Sequence, residues 1–378
     1  MPCVTAPRSR ASTRPEPFHL RFGIHFVPTL DPAEKSAAHY FGECLDLCRR
    51  ADELGFHSAK ITEHYLFPYG GYCPDPVAFL SAAAQHTTRL RLVTGGLVPA
   101  FSHPIAVAGK LAMLDNLSHG RLDAGFSPGF LPDEFDVFQI PLEESRWRFE
   151  EGVGAVKWLW QSQEASWSGR FHTFGPVRLL PRPFQLPHPP IWIMATFTPA
   201  LFEWSGRQGY NIMVVPYIST HENSANLVNI YRRAWRDAAH APGVEQVQLS
   251  FHCYVAEDGE QARREAKKYF EDYTGKLLHA AEAWSMRKVD QYPGYENIVR
   301  AIQTNSYEHV LERTMALIGS PQDVIQQIEI VRAWYGKHEA TLQFNFGNMP
   351  FERARHSLEL FAQQVMPHFA DSSAALSS

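Results

Sequence analysis

The sequence predicts an α/β protein, a (β/α)8 barrel of the TIM type, on three observations. Short apolar runs alternate with amphipathic helical stretches along nearly the whole chain, the pattern of parallel strands joined by crossover helices. Eight such units fill most of the 378 residues, which suits a barrel with insertions better than an open sheet. No G-x-G-x-x-G follows the first strand, which disfavours a doubly wound dinucleotide-binding fold.

Each element has its own warrant. The buried run "LRFGIHFVP" (20–28) opens the barrel. Residues 38–56 carry apolar side chains at helical spacing and end on Gly55, suited to a left-handed stop. A strand over 57–64 leads to a helix over 75–88 that opens with Asp75 as cap and Pro76 in the first turn. Strands follow at 90–98 and 121–127, with a helix over 102–120 between them and another over 143–160 after. The proline-rich stretch 161–190 has no clean period and reads as an insertion with short β pieces after the fourth βα unit. Alternation resumes with strands at 191–196, 210–217 and 247–256 and helices at 199–208, 221–239 and 259–285. The less regular 286–313 is a further excursion before the last strand, 340–346. Ser320, Pro321 and Asp323 open a helix over 320–335 in the manner of a capping box, and 350–366 is the last helix.

Composition narrows the function. Hydrophobic residues make up 45% and aromatics 13%, enough for a large core. A net charge of −5 argues against a nucleic-acid or anionic-membrane partner held by bulk charge. No apolar run is long enough to span a bilayer. Cysteines at 3, 44, 48, 73 and 253 are odd in number and sparse, so a reduced, cytoplasmic protein is expected. Cys44 and Cys48 share a helix face and read as a core stripe rather than a metal pair. Neither H-x-H nor H-E-x-x-H occurs, and His172 and His188 lack ligand spacing, so no metal is expected. Residues 1–17 are Arg-rich without the apolar segment of a secretory signal. They read as a flexible tail, as does 371–378, around a single domain over 18–370.

Barrel chemistry sits at the C-terminal ends of strands. That rule selects "TEHY" (62–65), "TGGLVPAF" (94–101), "FSPGF" (126–130), "MATFT" (194–198), "PY" (216–217) and "FNFGN" (344–348). His64 suits proton transfer near neutrality, since imidazole titrates near 6.5. Glu63 and Tyr65 flank it. Alternation along the strand could turn Glu63 away from His64 towards a helix. Gly95 and Gly96 suit close backbone approach to a flat ligand. Thr198-Pro199 opens a helix whose N-terminus is a natural anion site. Arg146 has Glu143 and Glu150 at helical spacing as rival partners. His103 reads as a helix cap. Phe67, Tyr69, Tyr72, Phe101 and Phe130 form an aromatic set suited to lining a substrate pocket and excluding water, and the "FGNM" end of the last strand is a weaker candidate for the same wall.

The blocks "TEHYLFPYGGYCPDP", "TGGLVPAFSHPIAVAGKLAMLDNLSHGRLDAGFSPGFLPDEFDVF" and "PPIWIMAT" resemble the bacterial-luciferase-like flavin-dependent monooxygenases, from Arg21 to about Phe369. The resemblance implies a homodimeric barrel enzyme. It implies reduced FMN from a separate NAD(P)H:flavin reductase, dioxygen, and a flavin peroxide as oxidant for a small organic substrate. His64 matches the family's acid/base histidine, and Tyr65 stands where a second His is common. Gly95-Gly96 match a pair that forms a non-proline cis peptide under the flavin ring. Arg146, Thr196 and Thr198 match the phosphate region. Ser127 takes the place of a reactive cysteine beside Gly129, and Pro128 stands where the family often keeps a phosphate-binding Arg. That substitution keeps two alternatives open: a deazaflavin-dependent hydride transferase and a non-catalytic flavin-binding relative.

Overall fold

The computed structural model describes residues 20–370; the tails expected at 1–17 and 371–378 lie outside them. Eight parallel strands close into a barrel: β1 (Arg21–Phe26), β2 (Ser58–Ile61), β3 (Arg91–Thr94), β4 (Leu122–Phe126), β7 (Ile191–Met194), β8 (Asn211–Val214), β9 (Val247–Val255) and β11 (Glu339–Gln343). Pairing of β8 with β9 completes the ring. The strands are shorter than the apolar runs that announced them, because the ends of those runs peel away into the loops that build the upper face.

Helices α1 (Ala37–Leu54), α2 (Pro76–His86), α3 (Pro104–Leu117), α4 (Pro132–Val137) and α5 (Ser145–Gln161) cover the first half. The second half carries α6 (Pro199–Gln208), α7 (His221–Asp237), α8 (Gly259–Ala281), α9 (Ile298–Thr304), α10 (Tyr307–Glu312), α11 (Pro321–Tyr335) and α12 (Phe351–Leu360). The sequence signals at their ends hold. Gly55 stops α1 at φ +87, and Asp75 caps α2 by accepting from the Val77 amide. Ser320 and Asp323 form a reciprocal capping box on α11. His103 accepts from the Ile105 amide at the start of α3. Cys44 and Cys48 are fully buried in the core face of α1.

Between α5 and β7 lies a two-stranded antiparallel hairpin, β5 (Ala165–Ser168) and β6 (Thr173–Val177). Three elements escaped the sequence reading. The short strand β10 (Leu317–Gly319) pairs with the far end of β9 outside the barrel. The one-and-a-half-turn α4 follows β4, and the excursion after α8 folds into short helical turns rather than irregular chain.

Strand alternation sends one set of side chains to the helices and the other into the barrel. Phe22, Ile24 and Phe26 of β1 face outward and are buried. The barrel interior is split. Val93, Trp192 and Met213 form an apolar cluster backed by Met194. Opposite, Lys60, Gln248, Ser250, Glu339 and Thr341 form a buried polar network. Lys60 Nζ donates to Ser250 Oγ at 2.9 Å and Gln248 Oε1 at 3.4 Å. Ser58 Oγ and Gln248 Nε2 donate to the Glu339 carboxylate, at 2.5 and 3.2 Å.

Candidate active site

A cleft of roughly 1060 Å³, its open mouth included, lies over the C-terminal ends of the strands. Eleven of the residues singled out from sequence line it: Glu63, His64, Tyr69, Gly95, Gly96, Ser127, Gly129, Phe130, Arg146, Thr196 and Thr198. They come from the ends of β2, β3, β4 and β7 and from α5, segments far apart in sequence that barrel closure brings together.

His64 sits on the first residues past β2. Its Nδ1 lies 3.2 Å from Glu134 Oε1, on α4, and the same oxygen accepts the Tyr65 backbone N–H at 2.7 Å. A carboxylate at Nδ1 fixes the tautomer with its proton there and leaves Nε2 as the nitrogen open to a ligand. Glu134 is 1% exposed and also lines the cleft. The loop "FPYGGY" closes over the imidazole. Gly70 takes φ +77, and a Cβ there would fall 2.6 Å from the His64 ring. This contact is why the loop carries a glycine at that position.

Glu63 is buried and faces the cleft rather than a helix. It accepts from the Tyr65 hydroxyl at 2.6 Å and from the Val98 amide at 3.0 Å. Burial pushes its carboxyl up to about 7 against the opposing pull of these two donors.

On the far side, Gly95 and Gly96 form the edge beneath the cleft. The Gly95–Gly96 peptide is trans, not the cis bond expected from the resemblance. The turn is made instead by Gly96 at φ +116, a conformation open to glycine. A Cβ on Gly95 would collide with the Ile61 carbonyl at 2.7 Å. Ser127 Oγ accepts the Gly129 amide at 3.1 Å. The Pro128 carbonyl, where an Arg was expected from the family, accepts from the Tyr292 hydroxyl at 3.0 Å.

Arg146 is held from three sides. Its Nε donates to Glu150, its guanidinium lies 5.5 Å from the Trp204 ring, and Nη2 reaches the Ala200 carbonyl at 3.5 Å. The Glu150 ion pair and the place in the cleft therefore coexist. Thr198 is the N-cap position of α6, yet its side chain makes no capping bond. Pro199 carries no amide N–H and the Leu201 amide bonds the Thr198 carbonyl, so the Thr198 hydroxyl and the Ala200 amide are the donors placed to receive an anion beside Arg146.

Four expected residues do not line the cleft. Tyr65 turns away because Glu63 holds its hydroxyl, and its ring packs 4.9 Å from Phe138. Phe101 stacks on the same Phe138 at 4.4 Å. Tyr72 donates to the Lys35 carbonyl at 2.8 Å and sits 6.2 Å from Tyr40. Phe67 lies in the covering loop, 5.7 Å from His279. These rings pack outside the cleft lining. Phe344 and Phe346, at the end of the last strand, belong to the core instead.

The excursion after α8 supplies wall that the sequence did not reveal: Tyr292, Tyr295, Ile298 and Ile302. It is tied down by Trp284, whose Nε1 donates to the Phe130 carbonyl at 2.9 Å. His25 of β1 was also missed, and Thr62, the first residue of the selected "TEHY", was given no role of its own; both line the cleft. Among the described residues, no group of His, Cys, Asp and Glu could hold a metal ion, and no helix is long and apolar enough to cross a membrane.

A closed barrel with a largely apolar cleft over its strand ends, carrying a few ionisable side chains, is the architecture of barrel enzymes. The chain belongs to the luciferase-like monooxygenases: a model of that family matches residues 20–338, and the protein is an oxidoreductase of that kind. It is 30% identical to the oxygenase component of the flavin-dependent trigonelline monooxygenase of Acinetobacter baylyi, over 93% of this chain and 96% of the relative. The monooxygenase RslO1 of Streptomyces bottropensis superimposes with a TM-score of 0.83 at 44% identity, covering 93% of this chain and all of that one. The oxygenating constituent of 3,6-diketocamphane monooxygenase from Pseudomonas putida, a type II Baeyer–Villiger enzyme solved with FMN, shares the fold at a TM-score of 0.77 and 19% identity, over 92% and 98% of the two chains.

Proposed function

We propose that the protein is the oxygenase component of a two-component monooxygenase that uses reduced FMN and dioxygen on a small organic substrate. The observation that carries this reading is the pairing, across one cleft, of an anion cradle with a carboxylate-held imidazole. Arg146, the Thr198 hydroxyl and the N-terminus of α6 suit the FMN phosphate. Thr196 lines the same cleft. Gly95 and Gly96 offer a flat backbone surface, and Met194 an apolar one, for the ring.

Bound reduced FMN supplies the electrons with which dioxygen is activated and one oxygen atom transferred. The protein does the rest. Glu134 holds the proton at His64 Nδ1, so that Nε2 can give or take a proton where the substrate reacts. Glu63, poised near neutrality, is a second proton-holding group on the same wall. Phe130, Tyr69, Tyr292 and Tyr295 keep water from the reacting centre. A separate NAD(P)H:flavin reductase fits the "oxygenase component" name of the Acinetobacter relative. A homodimer acting in the cytoplasm completes the reading.

Anaerobic titration with photoreduced FMN tests it. Reduced FMN is expected to bind, to reoxidise in air at a rate different from that in buffer, and to lose about 10–100-fold in affinity in Arg146→Ala, the cost of a charge-assisted contact. Binding of a deazaflavin in place of reduced FMN would instead overturn the FMN reading in favour of the hydride-transferase alternative.

A further inference from the structure

The cleft has a polar end that the flavin reading does not use. Several buried side-chain atoms lack a hydrogen-bond partner among the described residues; of these, the ones that line the cleft belong to His25 and Thr62. His25 is 1% exposed, with neither ring nitrogen partnered, and the Thr62 hydroxyl is buried and unpartnered too. Both project inward from neighbouring strands, His25 from β1 and Thr62 just beyond β2. An unpaired buried polar group costs about 1–3 kcal/mol, so two on one wall indicate a ligand that pairs with them.

The surroundings define that ligand. Val27, Tyr69 and Leu277 line the same cleft and give it apolar and aromatic surface, which suits a ring. The nearby carboxylates are committed, Glu63 to Tyr65 and Val98, and Glu134 to His64 and Tyr65, so nothing is left to receive a cation. Burial and the neighbouring Lys60 hold His25 well below the usual imidazole range, so it is a neutral donor. A neutral imidazole and a hydroxyl offer no charge to balance a carboxylate, whose burial unpaired is prohibitive. Of the cationic side chains, Arg146 lines the cleft at its other end, paired with Glu150, and Lys60 beside His25 is tied to Ser250 and Gln248.

We infer that His25 and Thr62 form a recognition site for a carbonyl oxygen on a ring-bearing substrate, the imidazole N–H and the hydroxyl both donating to it. The inference deepens the monooxygenase reading and rests on it. It places a ring ketone or quinone between the polar end and the glycine edge, with His64 to one side.

The test uses flavin-free full-length protein and three probes: 1-tetralone, tetralin, which lacks only the carbonyl, and 1-naphthoate. Isothermal titration calorimetry is expected to show tetralone binding about 10–100-fold more tightly than tetralin, the worth of one or two buried hydrogen bonds. Thr62→Val, which keeps the shape, and His25→Phe are each expected to cut that preference by about tenfold. FMN binding, followed by quenching of flavin fluorescence, should be unchanged in both. Equal binding of tetralone and tetralin by the wild type, a preference that survives in Thr62→Val, or tighter binding of 1-naphthoate would each overturn the inference. Failure of FMN to bind would sink the monooxygenase reading alone, because the tetralone-to-tetralin ratio is read without flavin.

Discussion

The two halves of the barrel interior obey the same alternation rule and reach opposite results. On the β3, β7 and β8 side the inward positions hold Val93, Trp192, Met194 and Met213, an apolar plug. On the β1, β2, β9 and β11 side they hold His25, Lys60, Ser250, His252, Thr341 and Gln343, all buried. A barrel needs only to fill its interior. Stability alone favours the apolar solution, since buried polar groups at best break even. The apolar half sits under the glycine edge, where a flat ring would lie. The polar half rises into His64, Glu63, Thr62 and His25, where protons and hydrogen bonds are handled. Polar residues are thus kept where chemistry needs them and removed where only packing is required.

His64→Ala is the largest expected break in this contrast. If the polar half carries the proton chemistry, turnover should fall about 10²–10⁴-fold, the usual worth of an acid/base group, with the fold and reduced-FMN affinity intact. Circular dichroism and flavin titration check the second clause, and stopped-flow turnover the first. Equal rates would reduce the polar wall to a binding surface. A smaller loss in Glu134→Gln, accompanied by a shifted pH profile, would identify Glu134 as the residue that positions the imidazole.

What the sequence disclosed follows from how local each signal is. Strand and helix periods, the Asp75 and Ser320 caps and the Gly55 stop are nearest-neighbour physics, and each reappears in the fold. The strand-end rule then placed His64, Gly95, Gly96 and Thr198 at the cleft without any contact being known. Residues that meet across the barrel were not legible in this way. Glu134 lies 70 positions from its partner His64. Its one local sign was "LPDEF", a proline followed by two acids as at a helix start. His25 passed unremarked inside the buried run 20–28 and Lys60 inside the strand 57–64, because inward and outward faces of a barrel strand are both buried. The aromatic set failed for a related reason. Tyr65, Phe67, Tyr72 and Phe101 have the right composition for a pocket wall, but hydroxyl partners for Tyr65 and Tyr72, packing on Phe138 for Tyr65 and Phe101 and the contact of Phe67 with His279 keep them out of the lining.

Lys60 sharpens the comparison from the interior. Burial lowers its ammonium to about 7 from the usual 10.5, with Glu339 pulling the other way. Below about 7 both folded and unfolded chains carry the proton, and the folded chain bears the whole cost of burying it. Between about 7 and 10.5 only the unfolded chain holds it, so stability should rise with pH across that window. In Lys60→Met the rise should vanish, and at pH 6 the variant should match or exceed the wild type by about 1–3 kcal/mol in urea unfolding. A rise that persists in the variant would show that the polar half is more hydrated than its burial indicates.

Glu63 gives the smallest effect and the finest test, because it stands where the two halves meet. It belongs to the end of β2, yet one of its oxygens accepts the Val98 amide beyond the glycine edge. Its folded value of about 7 lies above the ordinary 4.5, so the folded chain holds its proton longer than the unfolded one. Its contribution to stability is therefore full below about 4.5, declines as pH rises to about 7 and is level above that, the reverse of Lys60. Glu63→Gln keeps the shape and cannot ionise. The decline between about 4.5 and 7 should flatten, and above pH 7 the variant should gain about 1 kcal/mol over the wild type, less whatever is lost at the Val98 amide. If the wild-type curve is already flat there, the carboxylate is ionised at neutrality. Proton transfer on this wall would then fall to His64 alone, with Glu63 reduced to a bridge that ties β2 to the edge beneath the ring.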